Sequence, residues 1–204
     1  ESGRQGVRAG VDVSGRDSPE ADGEGMSIGA EALARVGVRG VCFDLTLPPF
    51  IPALLEEAGV LKSERPALLR ALDRKDAAAV AEHGGALAAT LIALLDASGA
   101  AEHAVARLME ITLPERATAI VRRLVATVGA LRERCPGLSL TVDPVAFRGW
   151  KYHTGVCVTL FAPGRSEALG PGGRCRRNDH EPAPGPPLPP AGLSRRVPAA
   201  PPPP

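Results

Sequence analysis

The chain predicts an α+β fold, a mixed sheet with flanking helices, and three observations carry that expectation. Short runs rich in β-branched and apolar residues occur at 38–45, 138–145 and 156–161, as strands require. Between the first and second lies an Ala- and Leu-rich stretch, 66–134, whose apolar positions recur at helical spacing: Leu87, Leu91, Leu94 and Leu95, then Ile120, Leu124, Val128 and Leu131. With 204 residues and 44% hydrophobic content, the chain is long enough to bury one sizeable core, with a small helical subdomain beside it.

The first helix is announced by Ser18-Pro19-Glu20. Serine caps exposed amides, proline suits the first turn, and Glu20 and Asp22 complement the helix dipole. Gly23, Gly25 and Gly29 weaken it, by about 1 kcal/mol each relative to Ala where interior, so tertiary packing has to hold it. A strand is expected over 38–45 and a proline-opened helix over 48–57, a β-then-α unit at the edge of the sheet. Gly84-Gly85, Ser98-Gly99 and Pro114 divide 66–134 into short helices. The Arg122-Arg123 and Arg132–Arg134 charges read as a solvated face, and Asp73, Lys75 and Asp76 as a capped, charged helix start rather than a catalytic cluster. The end differs in kind: 11 of the last 29 residues are proline, which suits neither a helix interior nor a sheet ladder and predicts disorder or polyproline geometry for 176–204.

Composition excludes several functions. A formal net charge of +1 and 3% aromatics offer neither a polyanion-attracting field nor stacking platforms, so no nucleic-acid partner is expected. Cys42, Cys135, Cys157 and Cys175 are widely spread without paired metal-ligand spacing and read as buried free thiols; no metal or cofactor is expected. No signal peptide and no apolar run of membrane-spanning length occurs, which predicts a cytoplasmic protein with no membrane partner. Phosphate-loop spacing and a Ser-His-Asp motif are absent too, so the expectation is a non-enzyme.

The residues suited to a binding site converge at Arg148-Gly149-Trp150-Lys151-Tyr152-His153-Thr154-Gly155, which holds the only Trp, the only Tyr and one of four His. It falls where two predicted strands meet. Farther on, Leu169-Gly170-Pro171-Gly172-Gly173-Arg174 reads as a turn whose glycines let a ligand approach the backbone. Arg148 has the planar fork that grips a carboxylate or phosphate, with an ion pair to Asp143 or Asp44 as its structural alternative. Tyr152 and His153 can stack on and hydrogen-bond to a ligand ring, or pack in the core; Arg174 has the weaker claim as an exposed turn residue. Together they predict an anion or carboxylate pocket.

These motifs resemble a known family. An arginine and glycine, two variable positions, two aromatics and Thr-Gly, followed by Gly-Gly-Arg-Tyr, form the histidine-recognition elements of class II histidyl-tRNA synthetases. Asp143-Pro144-Val145-Ala146-Phe147-Arg148-Gly149, Tyr152-His153-Thr154-Gly155 and Leu169-Gly170-Pro171-Gly172-Gly173-Arg174 resemble more closely their non-charging paralogue, the regulatory subunit of ATP phosphoribosyltransferase. The stretches 15–22, 44–48 and 72–76 are similar to the same family in the same order. The resemblance implies a partial class II aminoacyl-tRNA-synthetase-like fold with a mostly antiparallel sheet. It places a core at 1–175, including a helical insertion at 66–134, before the tail at 176–204, whose sequence departs from the family's as a reading-frame change would make it. The chain is expected to begin inside the parent fold.

In function, the resemblance implies a subunit that activates the short-form catalytic subunit at the first step of histidine biosynthesis, relays histidine feedback and works in a hetero-oligomer. Its ligand-contacting positions map to Arg148, Tyr152, His153, Asp12, Gly172, Gly173 and Arg174. Three positions depart from the synthetase pattern: Arg8 stands where synthetases carry a glutamine, Asp12 where they carry a glutamate, and Lys151 where an acid is usual. Two other readings stand beside this one, a fragment of a histidyl-tRNA synthetase and a helical interaction domain with a Pro-rich docking tail.

Overall fold

A computed structural model describes residues 17–147, 153–165 and 167–175. Its five strands are β1 (Cys42–Thr46), β2 (Gly99–Ala100), β3 (Ser139–Asp143), β4 (His153–Phe161) and β5 (Gly170–Cys175), in the order β2-β3-β1-β4-β5. Only β1 and β3 run parallel; the remaining neighbours are antiparallel. Adjacent parallel strands need a crossover, and the segment joining β1 to β3 carries six of the described helices: α2 (Phe50–Glu57), α3 (Arg65–Asp73), α4 (Ala77–His83), α5 (Ala88–Asp96), α6 (Ala101–Glu110) and α7 (Glu115–Arg134). The seventh, α1 (Pro19–Arg35), precedes the sheet.

The strand register assigns each side chain to a face. Phe43 lies across from Leu140 and Leu160, and Leu45 across from Val142 and Val158. All six are buried, and they share one hydrophobic cluster with Leu54 of α2, Leu68 and Leu72 of α3, Leu91 and Leu94 of α5, Leu108 of α6 and Leu124 and Leu131 of α7. The opposite face is polar: Asp44 lies across from Thr141 and Thr159, and Thr46 across from Asp143 and Cys157.

Ser18 caps α1 as its sequence predicts, accepting from the Ala21 amide at 3.3 Å, with Pro19 in the first turn. The glycines of α1 do more than weaken it. A Cβ on Gly23 would lie 2.9 Å from the Cβ of Ala130, so its bare backbone lets α1 and α7 pack closely. The first strand needs a correction, because it starts at Cys42 rather than 38. Gly37, at φ 79°, closes α1, and Gly40, at φ 67°, turns the chain beneath Pro163, conformations that a strand cannot contain.

Two helix ends are completed from elsewhere in the chain. Pro114, which precedes α7, offers no side-chain cap; Glu57, at the end of α2, accepts from the amides of Arg116 at 2.9 Å and Ala117 at 3.0 Å instead. Lys75 ends α3 in the left-handed conformation, φ 57°, while Asp76 N–H reaches the Ala71 carbonyl and Lys75 N–H that of Leu72, each at 3.0 Å. Its ammonium grips both oxygens of Asp143 at 2.5 and 2.7 Å, which explains a lysine where glycine is usual. Asp76 caps α4 through the Ala79 amide at 3.0 Å. The solvated-face reading of the arginines holds for Arg122 and Arg134, which are exposed, and needs correction at two positions: Arg132 bonds Glu102 at 2.6 Å and the Leu138 carbonyl, and Arg123 turns inward. Cys42, Cys135 and Cys157 are thiols outside any disulfide, and of the three only Cys157 is fully buried. Among the described residues no helix is long and apolar enough to cross a membrane.

Candidate functional site

The predicted site residues divide between two groups. Asp12, Arg148 and Tyr152, with Arg8 and Lys151, lie outside the described residues, as does the 176–204 segment. His153, Gly172, Gly173 and Arg174 are described, and the β4–β5 pairing brings them together. Gly170 to Cys175 form an antiparallel strand rather than the expected turn, because Gly170 to Gly173 and Cys175 find partners on β4.

Close approach is why β5 carries a glycine at Gly173. A Cβ on Gly173 would meet the Cys157 Sγ at 2.7 Å and the His153 Cδ2 at 2.9 Å. On Gly155 it would lie 3.3 Å from the Arg174 Cβ and 3.9 Å from the Arg123 Nε. The ladder is irregular between His153 and Cys157, where a bulge re-aims the side chain of the bulged strand. His153 is half-buried against Gly173, and burial lowers its pKa from the usual value, so the neutral imidazole is favoured.

Behind this glycine strand lies an ionic cluster that the sequence does not announce. Arg174 directs its Nε (3.0 Å) and Nη2 (2.7 Å) at one oxygen of Asp22. Arg123 directs its Nε (3.2 Å) and Nη2 (2.9 Å) at the other. Asp22 is only 6% exposed, while Asp17, 74% exposed, adds an outer bridge to Arg123 at 2.7 Å and Arg174 at 3.5 Å. Burial works against the charge on Arg123, yet hydrogen bonding and attraction from Asp22 and then Asp17 outweigh it and raise its pKa. Two cations meet two anions, so Arg174, predicted as an exposed turn arginine, ties β5 to α1 and α7. The sequence reading missed Asp22 and Arg123 because a first-turn acid and a mid-helix arginine have local explanations; only their meeting across 101 residues gives them this role.

On the polar face of the sheet, Thr141 donates to Asp44 at 2.5 Å. Burial, the leading cause, raises the Asp44 pKa; Thr141 opposes this, Asp143 adds to it and Lys75 counters. Among the described residues Asp143 bonds Lys75 and Asp44 bonds Thr141; the alternative that pairs Arg148 with Asp143 or Asp44 lies outside them.

A mixed, mostly antiparallel sheet, a helical crossover and a glycine strand packed beside the opening residues of β4 define a class II aminoacyl-tRNA-synthetase-like core. The chain belongs to the histidyl-tRNA synthetase family, whose model matches residues 1–185. Among curated proteins it is 47% identical over 201 residues to an ATP phosphoribosyltransferase regulatory subunit of Gluconobacter oxydans, covering 98% of this chain and 52% of that protein. A regulatory subunit of Paramagnetospirillum magneticum is 44% identical over 182 residues, with 89% and 48% covered. The chain thus spans about half the length of these relatives. The Gluconobacter match extends into the proline-rich segment, which weighs against its replacement by an unrelated sequence.

Solved structures agree on the fold. An ATP phosphoribosyltransferase regulatory subunit/histidyl-tRNA synthetase from Bacillus halodurans superposes with a TM-score of 0.66 at 21% identity, covering 79% of this chain and 44% of that one. A chain of an ATP phosphoribosyl transferase (HisG:HisZ) complex from Thermotoga maritima gives 0.63 at 18% identity, covering 85% and 69%.

Proposed function

We propose that this chain belongs to a non-catalytic regulatory subunit that assembles with the short-form catalytic subunit of ATP phosphoribosyltransferase, raises its rate and relays histidine feedback. The observation that carries the reading is the 47% identity across 98% of the chain to the Gluconobacter regulatory subunit. Histidine is the ligand this reading assigns to the β4–β5 end of the sheet, with Arg148, Tyr152, His153 and Asp12 as contacts and Gly172 and Gly173 leaving room for it. Arg174 then serves by fixing β5 through Asp22. A ligand lowers activity only through unequal affinity for the active and inactive states of the assembly, so histidine has to bind the inactive state more tightly.

The test is the rate of phosphoribosyl-ATP formation by the short-form catalytic subunit titrated with this chain. A saturable rise, reversed by histidine, is the expected result. No rise with a chain that is folded by circular dichroism overturns the activating role.

A further inference from the structure

We infer that Arg123, on α7, is a positioning residue for the ligand end of the sheet: through Asp22 it holds β5 so that Gly173 stays packed against His153. The inference rests on the regulatory reading, which takes His153 as a contact for histidine, and it adds a residue on another element that sets the geometry of that contact. Consecutive residues of a strand face opposite sides of the sheet, and β5 uses both sides. Gly173 faces His153 and Cys157: a Cβ there would lie 2.9 Å from the His153 Cδ2 and 2.7 Å from the Cys157 Sγ. Arg174, next in the chain, directs its Nε and Nη2 at one oxygen of Asp22 in α1. A shift of Arg174 therefore moves Gly173, and the imidazole packed on that bare backbone has to move with it.

What keeps Arg174 in place is the orientation of the Asp22 carboxylate. Arg123 takes its second oxygen through two further bonds, at 3.2 and 2.9 Å. A carboxylate gripped at one oxygen can turn about its terminal torsion, which is broad for aspartate; gripped at both, it is held. Gly155, on the strand that carries His153, is the second observation. A Cβ there would lie 3.3 Å from the Arg174 Cβ, 3.5 Å from its Cδ and 3.9 Å from the Arg123 Nε, so this glycine leaves the space in which the two arginines lie. Arg123 thus reaches both strands of the ligand end, β5 through Asp22 and β4 at Gly155. Desolvation offsets much of the attraction in such a cluster, so net stability is a weak reason for building it and a fixed geometry the stronger one.

The test is titration calorimetry of the full chain with L-histidine, at a temperature where circular dichroism shows each variant folded, so that lost stability by itself leaves the measured affinity unchanged. Arg123→Gln releases the second oxygen of Asp22 and is expected to weaken binding about fivefold or more. Arg123→Lys restores the cation without the planar fork and is expected to recover part of that loss. Gly155→Ala keeps every charge, pushes Arg174 aside and is expected to weaken binding about threefold or more. Glu57→Ala, which removes the cap at the far end of α7, is the control and is expected to bind within about twofold of the parent. Arg123→Gln binding within twofold of the parent overturns the positioning role and leaves the regulatory reading standing, as does an equal loss in Glu57→Ala. If Arg123→Gln does not fold, Gly155→Ala decides by the same twofold criterion. No histidine binding by the parent chain overturns the positioning role together with the histidine part of the regulatory reading, while assembly is decided by the rate titration.

Discussion

Arg174, on the last described strand, directs both Nε and Nη2 at a single oxygen of Asp22, in the first turn of α1 and 152 residues earlier in the chain. Arg123 of α7 takes the other oxygen of the same carboxylate. One nearly buried aspartate thus joins the helix layer to the glycine strand. Removing one partner of such a cluster leaves the others desolvated and unpaired, a loss of roughly 3 to 5 kcal/mol for fully buried pairs. The arginine side chains are 22% and 27% exposed, so Asp22→Asn is expected to cost somewhat less, about 2 to 3 kcal/mol. Asp17→Asn, at the exposed outer bridge, is expected to cost under about 1 kcal/mol. Urea denaturation of the two variants checks the contrast.

Gly23 and Gly129 make a matched pair. Both lie within helices, where glycine to alanine ordinarily stabilises by about 0.5 to 1 kcal/mol. A Cβ on Gly129 meets nothing within 4 Å, whereas one on Gly23 meets Ala130 at 2.9 Å. Gly129→Ala is therefore expected to raise the thermal midpoint and Gly23→Ala to lower it, since the α1–α7 contact has to open.

Glu57 tests whether a cap supplied from another helix matters as much as a local one. Its carboxylate satisfies two amides at the start of α7, at Arg116 and Ala117, where Pro114 gives no side-chain cap. Glu57→Ala is expected to cost about 1 kcal/mol, as loss of a capping residue does. Glu57→Gln keeps one acceptor oxygen and is expected to fall between the variant and the parent in thermal unfolding.

Much of the fold is legible in the sequence because its signals are local. Ser18-Pro19 marks the start of α1, Gly84-Gly85 and Pro114 interrupt the helices as expected, and β-branched alternation marks β3 and β4. The misreadings are those in which a distant partner decides. Val38 belongs to a linker because Gly40 turns beneath Pro163. Gly170 to Arg174 look like a turn by composition and become a strand because β4 pairs with them, Gly173 lying where a side chain would collide with Cys157 and His153. The rare residues at 148–155 mark a candidate site of which 148–152 lie outside the described residues, whereas the cluster of Asp22, Arg123 and Arg174 has no signature in any window of sequence. Its members lie in three elements far apart in the chain, and each has a commonplace local explanation.

His153 and Asp44 push stability in different pH windows. Burial lowers the His153 pKa below its usual value near 6.5, so between the folded and unfolded pKa values the unfolded chain binds more protons than the folded one. Linkage then requires stability to fall as pH drops below about 6.5, and His153→Gln should remove that part of the slope. Asp44 acts with the other sign. Its pKa is raised, chiefly by burial, so the folded state holds the proton more tightly and its relative stability falls as pH rises from the usual carboxylate value, 3.8, through the folded one. Asp44→Asn keeps an acceptor for the Thr141 hydroxyl and removes the desolvated charge, so it should stabilise the unliganded chain at neutral pH, with the advantage vanishing near pH 4 and below. Unfolding free energies from urea titrations between pH 4 and pH 8, for the parent and both variants, separate the two groups: a slope below pH 6.5 that survives His153→Gln assigns it to another residue, and an Asp44→Asn variant no more stable than the parent at pH 7 shows that solvent or a partner already compensates the charge.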